Sequence, residues 1–417
     1  MRRAVSRLVN GAQGPVVLEI ARDVGLAEAV PSDSPYRPVV RALAVADTTS
    51  VARAAEAMTN ASRPLIVVGQ GALYSEAAAE LREFAELLHA PVMTTLAGKS
   101  AFPENHPLSL GTGALTSPAT VPHFLGWCDL IVGVGSSLKQ HFMTVDLPMN
   151  VPVVQITRNA EDLNSHYQVE HPLVGDARLV LQQLLAELRD RRFSYEKSHP
   201  DRAGLRREID RVKAEWLAEW HSELSSAETP INPYRFVQEF IRAVDPDLSI
   251  VTHDSGSPRD QLLPFYQANQ PRSYIGWGKS HALGSGMGLI MGAKLARPDL
   301  NCLHVMGDAA FGMVGLDLET AVRERIPIVS IVLNNNIMAI ESDTMRVAHS
   351  KYGSRKLGGE YTGVARSLGA LAARVEDPAE IGPTLQAAMR SSQEQGLPFL
   401  VEVITRPEMT SYSHRKF

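Results

Sequence analysis

Three consecutive asparagines, Asn334, Asn335 and Asn336, follow Asp308 after one amphipathic stretch and one apolar stretch, in GDAAFGMVGLDLETAVRERIPIVSIVLNNN. These residue types suit a hard cation. Magnesium takes a few carboxylate and carbonyl oxygens from protein and completes its shell with phosphate and water. Ala309 and Ala310 are small enough to let backbone N–H groups approach an anion, and a helix starting after them adds partial positive charge. A lone aspartate there would repel a phosphate, whereas a divalent cation between the two turns repulsion into a bridge. Each piece by itself also fits a helix cap and a turn. Their joint occurrence at two strand ends joined by one helix points to a metal and diphosphate site.

The elements that position these residues alternate. Residues 231–417 contain the apolar runs LSIVTHD, NCLHVMGD, IPIVSIVLNN and PFLVEVIT between helical patterns such as LDLETAVRER, so they are expected to form a doubly wound parallel sheet. Residues 49–190 repeat the pattern with RPLIVVGQGA, PVMTT, DLIVGVGSS and VPVVQIT, which implies a second, Rossmann-like domain. Residues 191–230 read as a charge-rich linker helix with a solvated face, and residues 31–48 as a proline-containing linker. Residues 1–30 hold one helix and the apolar run PVVLEI (15–20), expected to be a strand buried on both faces and too little for a core of its own. The fold class is therefore α/β: two doubly wound parallel-sheet domains and a short N-terminal remnant of a third.

Gly-Asp-Ala followed, after a helix and a strand, by Asn-Asn resembles the thiamine diphosphate and magnesium signature of the acetolactate synthase, benzoylformate decarboxylase and oxalyl-CoA decarboxylase superfamily. VTHDSGSPRDQ is similar to its first diphosphate-contacting loop, GWGKSHALGSGMGLIMGAKLARPD to its glycine-rich segment under the cofactor, and GPVVLEIARDV to the last strand of its pyrimidine-binding domain. The resemblance implies that Asp308 and Asn335 ligate magnesium through side chains and Ile337 through its backbone oxygen. It further implies that Gly256, Ser257, Gly307, Ala309 and Ala310 line the diphosphate. Leu283 would support the bend between the cofactor's rings, the backbone at His281 would face its aminopyrimidine, and Ile340 would border the substrate. No catalytic residue is assigned within the chain. The family's activating glutamate belongs to the early part of the pyrimidine-binding domain, and Glu19 lies in the wrong strand for it. A partner chain, a small subunit carrying the rest of that domain, is expected to supply it, in dimers or tetramers of such pairs; a truncated sequence is the competing explanation.

VVGQGALYS and GVGSS resemble dinucleotide loops, but neither completes Gly-x-Gly-x-x-Gly, and Thr157 and Arg158 stand where an acidic ribose ligand would follow the strand. FAD or ADP in the central domain is thus not favoured, Ser137 replacing the arginine expected near a flavin, and a nicotinamide-dependent oxidoreductase is disfavoured. Across 417 residues, 21% charged and 44% hydrophobic residues with a net charge of −5 describe a globular chain with little attraction for nucleic acid or acidic membrane. Cys128 and Cys302, far apart, are expected to be buried thiols. No signal peptide or membrane span is read, and a cytoplasmic location is expected. The leading expectation is the diphosphate-binding subunit of a thiamine diphosphate-dependent carboligase or decarboxylase acting on a 2-oxo acid or related acyl donor. A non-catalytic regulatory homologue is the alternative.

Overall fold

Two six-stranded sheets, parallel throughout, organise the chain; the computed structural model describes residues 1–11, 13–29, 37–193, 204–280, 282–341 and 344–408. The first sheet comprises β1 (Pro64–Val68), β2 (Val92–Thr95), β3 (Ser109–Gly113), β4 (Leu130–Val134), β5 (Val153–Thr157) and β6 (His171–Val174), in the order β3-β2-β1-β4-β5-β6. The second comprises β7 (Ser249–His253), β8 (Tyr274–Ile275), β9 (Asn301–Gly307), β10 (Val329–Asn334), β11 (Leu371–Val375) and β12 (Phe399–Ile404), ordered β11-β12-β10-β9-β7-β8. The α/β class read from the sequence is borne out.

The central strands are mostly apolar because helices cover both faces. Every residue of β1, β4, β5, β7 and β10 is buried. The covering helices start on designed caps: Asp47 accepts the Ser50 N–H ahead of Thr48–Asn60, and Asn232 accepts the Tyr234 N–H ahead of Pro233–Ala243, where proline takes the first helical position. Strand order reverses between β1 and β4 in the first sheet and between β7 and β9 in the second. Such switch points open a crevice beyond the strands' carboxyl ends, where ligands of doubly wound sheets bind.

Two expectations need correction. PVVLEI forms no strand: it runs outside both sheets with Val17 85% and Ile20 63% exposed, because an isolated apolar run has no neighbour in this chain to pair with. The helix Arg2–Val9 before it likewise buries no residue. The charge-rich segment ahead of residue 231 is not simply solvated. Its helix Leu205–Glu219 buries Leu205, Ile209, Val212 and Trp216, one face at helical spacing. Leu205 and Ile209 join the core of the first sheet, while Trp216 joins that of the second and stacks on Phe265 with centroids 4.8 Å apart.

The two sheets also meet directly. Glu104, in the loop after β2, gives its backbone N–H to Ala268 and takes the Ala268 N–H on Oε2 at 2.8 Å. Its other oxygen accepts the Thr112 hydroxyl at 2.9 Å, and the same carboxylate pairs with Lys99, 1% exposed, whose Nζ also sits over the Tyr274 ring. A charged pair so deep is tolerated because hydrogen bonds meet both carboxylate oxygens.

Candidate functional site

The switch point between β7 and β9 gathers most of the residues singled out from the sequence. β7 ends in His253 and hands the chain to Asp254, which is fully buried. Asp254 Oδ1 accepts the N–H groups of Ser255 and Gly284, each at 2.8 Å, and Oδ2 accepts that of Gly286 at 3.2 Å. One carboxylate thereby ties the end of β7 to the glycine-rich turn that starts helix Ser285–Ala296. His304, on β9, brings Nε2 within 3.3 Å of Asp254 Oδ2. Glycine is required at Gly284, which has φ +89° and Val314 where a Cβ would go, and at Gly286, where a Cβ would fall on His304 and lie 2.6 Å from the His253 carbonyl.

Gly256, at φ +105°, opens helix Ser257–Leu262, and a Cβ there would meet nothing closer than Pro258 Cδ at 3.9 Å. A Cβ on Gly307 would lie 3.8 Å from Pro258 Cγ. Both glycines thus lie beside Pro258 with their backbone open to close approach.

Asp308, next to Gly307, is the first residue of helix Asp308–Val314, directly after β9. It is 3% exposed; Oδ1 accepts the Ala309 N–H at 2.8 Å, and Oδ2 is buried with no hydrogen-bond partner. Burial raises its carboxyl above the ordinary value, opposed by the backbone N–H groups of Ala309, Asn336 and Asn335. Those last two contacts follow from register: Leu333 of β10 lies opposite Gly307 of β9, so the residues beyond each strand end meet.

The asparagines have separate tasks. Asn334 is buried and donates Nδ2 to Glu402 Oε1 at 2.8 Å, while its Oδ1 caps the Asn336 N–H at 3.1 Å. Asn336 adopts a left-handed φ of +57°, which turns the chain. Asn335 Oδ1 accepts the Ile337 N–H at 3.1 Å, leaving that carbonyl a second lone pair. Ile337 is half-buried and pairs with Lys356 in an antiparallel bridge; Ile340 sits in a short 3₁₀ turn, 41% exposed. Leu283 is half-buried and, like Val314, packs against the core that contains Phe311. Ala309 and Ala310 lie in the first turn after Asp308, Ala310 buried. His281 lies outside the described residues. The tail 409–417, marked from the sequence as a source of substrate contacts, does too.

Sequence reasoning missed Asp254 and the neighbours that support it. Trp277 stacks on His253 with centroids 5.0 Å apart and donates Nε1 to the His253 carbonyl at 3.2 Å. Burial holds the His253 imidazole down to about 3, so it stays neutral. The one available signal was Asp directly after a buried strand and ahead of Ser-Gly, the pattern that drew notice at Asp308.

A second concavity of about 540 Å³ opens over the first sheet's switch point. Gly69, Gly71, Gly135 and Ser136 line it, and Trp277, Gly278 and Lys279 of the second domain close it. Arg158, at the end of β5, is held by Asp176 at 2.6 Å and Ser75 at 3.1 Å. Among the described residues no group of three or more His, Cys, Asp or Glu side chains is placed to hold a metal, and no helix is long and apolar enough to cross a membrane. Cys128 and Cys302 are both buried, as expected, and burial pushes each thiol up to about 11.

Comparison with known proteins matches residues 51–184 to the thiamine pyrophosphate enzyme central domain and residues 254–403 to the thiamine pyrophosphate enzyme C-terminal TPP binding domain. The chain is 27% identical over 424 residues to a probable acetolactate synthase large subunit of Methanococcus aeolicus, covering 96% of the chain and 69% of that relative. It is 27% identical over 354 residues to a 2-hydroxyacyl-CoA lyase of Oryza sativa subsp. japonica, covering 80% of the chain and 59% of that relative. In structure it is similar to benzoylformate decarboxylase from Polynucleobacter necessarius, with a TM-score of 0.76 at 19% identity, covering 98% of the chain and 73% of that protein.

Proposed function

Because the chain belongs to the superfamily of thiamine diphosphate-dependent enzymes, we propose that it holds thiamine diphosphate and magnesium at the β7–β9–β10 strand ends and works as an acetolactate synthase-like lyase or transferase on a 2-oxo acid or related acyl donor. One observation carries the reading: a buried carboxylate oxygen, Asp308 Oδ2, without a partner. An unmet buried acceptor of that kind is costly unless a cation meets it.

The donor set fits the group. Asp308, the Asn335 side-chain carbonyl and the Ile337 backbone carbonyl are hard oxygens of the kind magnesium selects. Gly256, Ser257 and Gly307 would present backbone to the diphosphate, with Ala309 and Ala310 beside them, and Leu283 would support the ring end. When bound, the cofactor supplies a carbon nucleophile and a sink for the electron pair left by carbon–carbon cleavage. The chain's own part is to anchor the charged end and to hold the glycine turn through Asp254, while the apolar wall at Leu283 and Val314 keeps water from the ring end.

The proposal includes a second chain. Val17, Leu18, Ile20, Val24 and Leu26 are all exposed, apolar surface that a partner supplying the activating glutamate would cover.

Calorimetry decides the cofactor. Thiamine diphosphate should bind in magnesium and release on chelation, with NAD producing no heat; stabilisation by NAD alone would sink the reading. Carbon dioxide release from a panel of 2-oxo acids, with and without a co-encoded short chain, then tests substrate and partner.

A further inference from the structure

Arg355 lies in the segment that pins the loop after β10. Its carbonyl accepts the Met338 N–H at 2.9 Å, its neighbour Lys356 bridges Ile337, and the Leu357 N–H donates to the Asn336 carbonyl at 2.9 Å. The residue is only 8% exposed, yet Nε and Nη1 are buried without a hydrogen-bond partner. A guanidinium cannot escape such a site by losing its proton, and a buried cation with unmet donors is among the costliest arrangements a fold can hold. Arg259 shows a remedy in the same domain: it is 2% exposed and is clasped by Asp260 through two hydrogen bonds of 2.8 and 3.0 Å, which leave only Nη1 unmet. Among the described residues no carboxylate pairs with Arg355.

The segment that carries it is basic, with Glu341 and Glu360 standing beyond its ends. Residues 344–359 contain Arg346, His349, Lys351, Arg355 and Lys356 and no acidic residue. Helix Arg346–Tyr352 buries none of its side chains and exposes Val347 and Tyr352. The His349 ring accepts the Arg355 N–H at 3.3 Å, which fixes the turn between helix and Arg355. Burial first, then the charges of Arg355 and Lys356, lower the His349 imidazole below its ordinary value, as expected where positive potential accumulates.

We infer that Arg355 binds an oxyanion group of the substrate, a carboxylate, sulfonate or phosphate, and that the acid-free basic segment 346–356 draws that group toward it. A planar fork of N–H donors matches two oxygens of such a group at once, and a single-sign surface raises the local concentration of an anion. The inference rests on the proposed function, since it is the proposed cofactor site that makes the loop after β10 a border of the reaction space. It narrows the substrate class to molecules that keep a negative group at the Arg355 end.

The test uses the full chain, titrated calorimetrically with inorganic sulfate at constant ionic strength, and compares wild type with Arg355→Gln, Arg355→Lys and the control Arg82→Gln, an exposed position on helix Ala78–Leu88 of the other domain. Sulfate should bind the wild type, lose about ten-fold or more in affinity in Arg355→Gln, lose several-fold in Arg355→Lys because the fork is gone, and change less than about two-fold in Arg82→Gln. Equal affinity in wild type and Arg355→Gln overturns the inference. Should Arg355→Gln not fold, as judged by circular dichroism, unchanged affinity in Arg355→Lys overturns it instead. Thiamine diphosphate with magnesium is titrated into the same preparations: no binding to the wild type defeats the proposed function and leaves the anion result standing. Inhibition by sulfate that is competitive with the turned-over 2-oxo acid supports a group carried by the substrate, whereas noncompetitive inhibition overturns that assignment in favour of a free anion.

Discussion

Asp254 and Gly284, thirty residues apart, are joined by a hydrogen bond of 2.8 Å from the glycine N–H to carboxylate Oδ1. With the bonds to Ser255 and Gly286 it makes Asp254 the hub between two loops of the candidate site. Asp254→Asn would turn an amide toward N–H donors and leave at least one unmet. The expected loss is about 1–3 kcal/mol in urea unfolding, with cofactor affinity falling at least about ten-fold. Unaltered calorimetric affinity in a folded Asp254→Asn would show that the loops hold their shape without it.

Gly286→Ala tests the same turn from the other side. The added methyl would fall on the His304 ring and lie 2.6 Å from the His253 carbonyl, one neighbour buried and the other backbone. A drop in stability of about 1–3 kcal/mol is expected, as for overpacked cores, whereas Gly288→Ala, with nothing within 4 Å, should be tolerated. Equal melting temperatures for the two variants would contradict the packing described.

Asp308→Asn should have effects of opposite sign on stability and on binding. Without cofactor, removing a buried charge whose Oδ2 has no partner should raise stability by about 1 kcal/mol. Metal-dependent binding of thiamine diphosphate should be lost. Calorimetry and chemical unfolding on one preparation read both, and an unaffected metal requirement would remove Asp308 from the ligand set.

His253 sets a pH window. Its ring is packed by Tyr274 and Trp277, near Arg259, Asp254 and His304, and burial lowers its imidazole from 6.5 to about 3. As pH falls below 6.5 the unfolded chain takes up a proton that the folded chain refuses, so stability contributed by the neutral ring is lost on the way down toward pH 3. The slope from this one group is at most about 1.4 kcal/mol per pH unit. His253→Phe, which keeps the stack on Trp277, should flatten the wild-type decline between pH 6 and about 4; matching slopes for the two proteins would assign that decline to other groups.

Lys99 and Glu104 should behave as a unit. Glu104→Gln leaves a fully buried ammonium uncompensated, at an expected cost of about 3–5 kcal/mol. Adding Lys99→Met should recover a substantial part of that loss, since the unpaired charge is then gone. Additive losses in the double variant would mean that the carboxylate acts mainly through Thr112 and Ala268.

What could be read beforehand follows a physical divide. β1, β2, β4, β5, β7, β9, β10 and β12 announce themselves because strands buried on both faces are mostly apolar. β3 (SLGTG), β6 (HPLV) and β8 (YI) carry glycine, proline or only two residues, and are strands because a neighbour pairs with them. Asp308 and Asn335 were legible because their types and positions at strand ends are local facts. Asp254, Glu104 and Arg355 were not, since what distinguishes them is a partner far away in the chain, or the lack of one in the fold. PVVLEI failed for the converse reason: its composition suits a strand that needs neighbours.

Leu205 and Trp216 belong to different hydrophobic cores yet ride on one helix, Leu205–Glu219, roughly 22 Å long at 1.5 Å per residue. A rod embedded at both ends works as a splint. Cutting the backbone elsewhere between the two sheets should therefore not let them drift apart: the nicked halves should still elute together on gel filtration, and heating should give one endotherm rather than two.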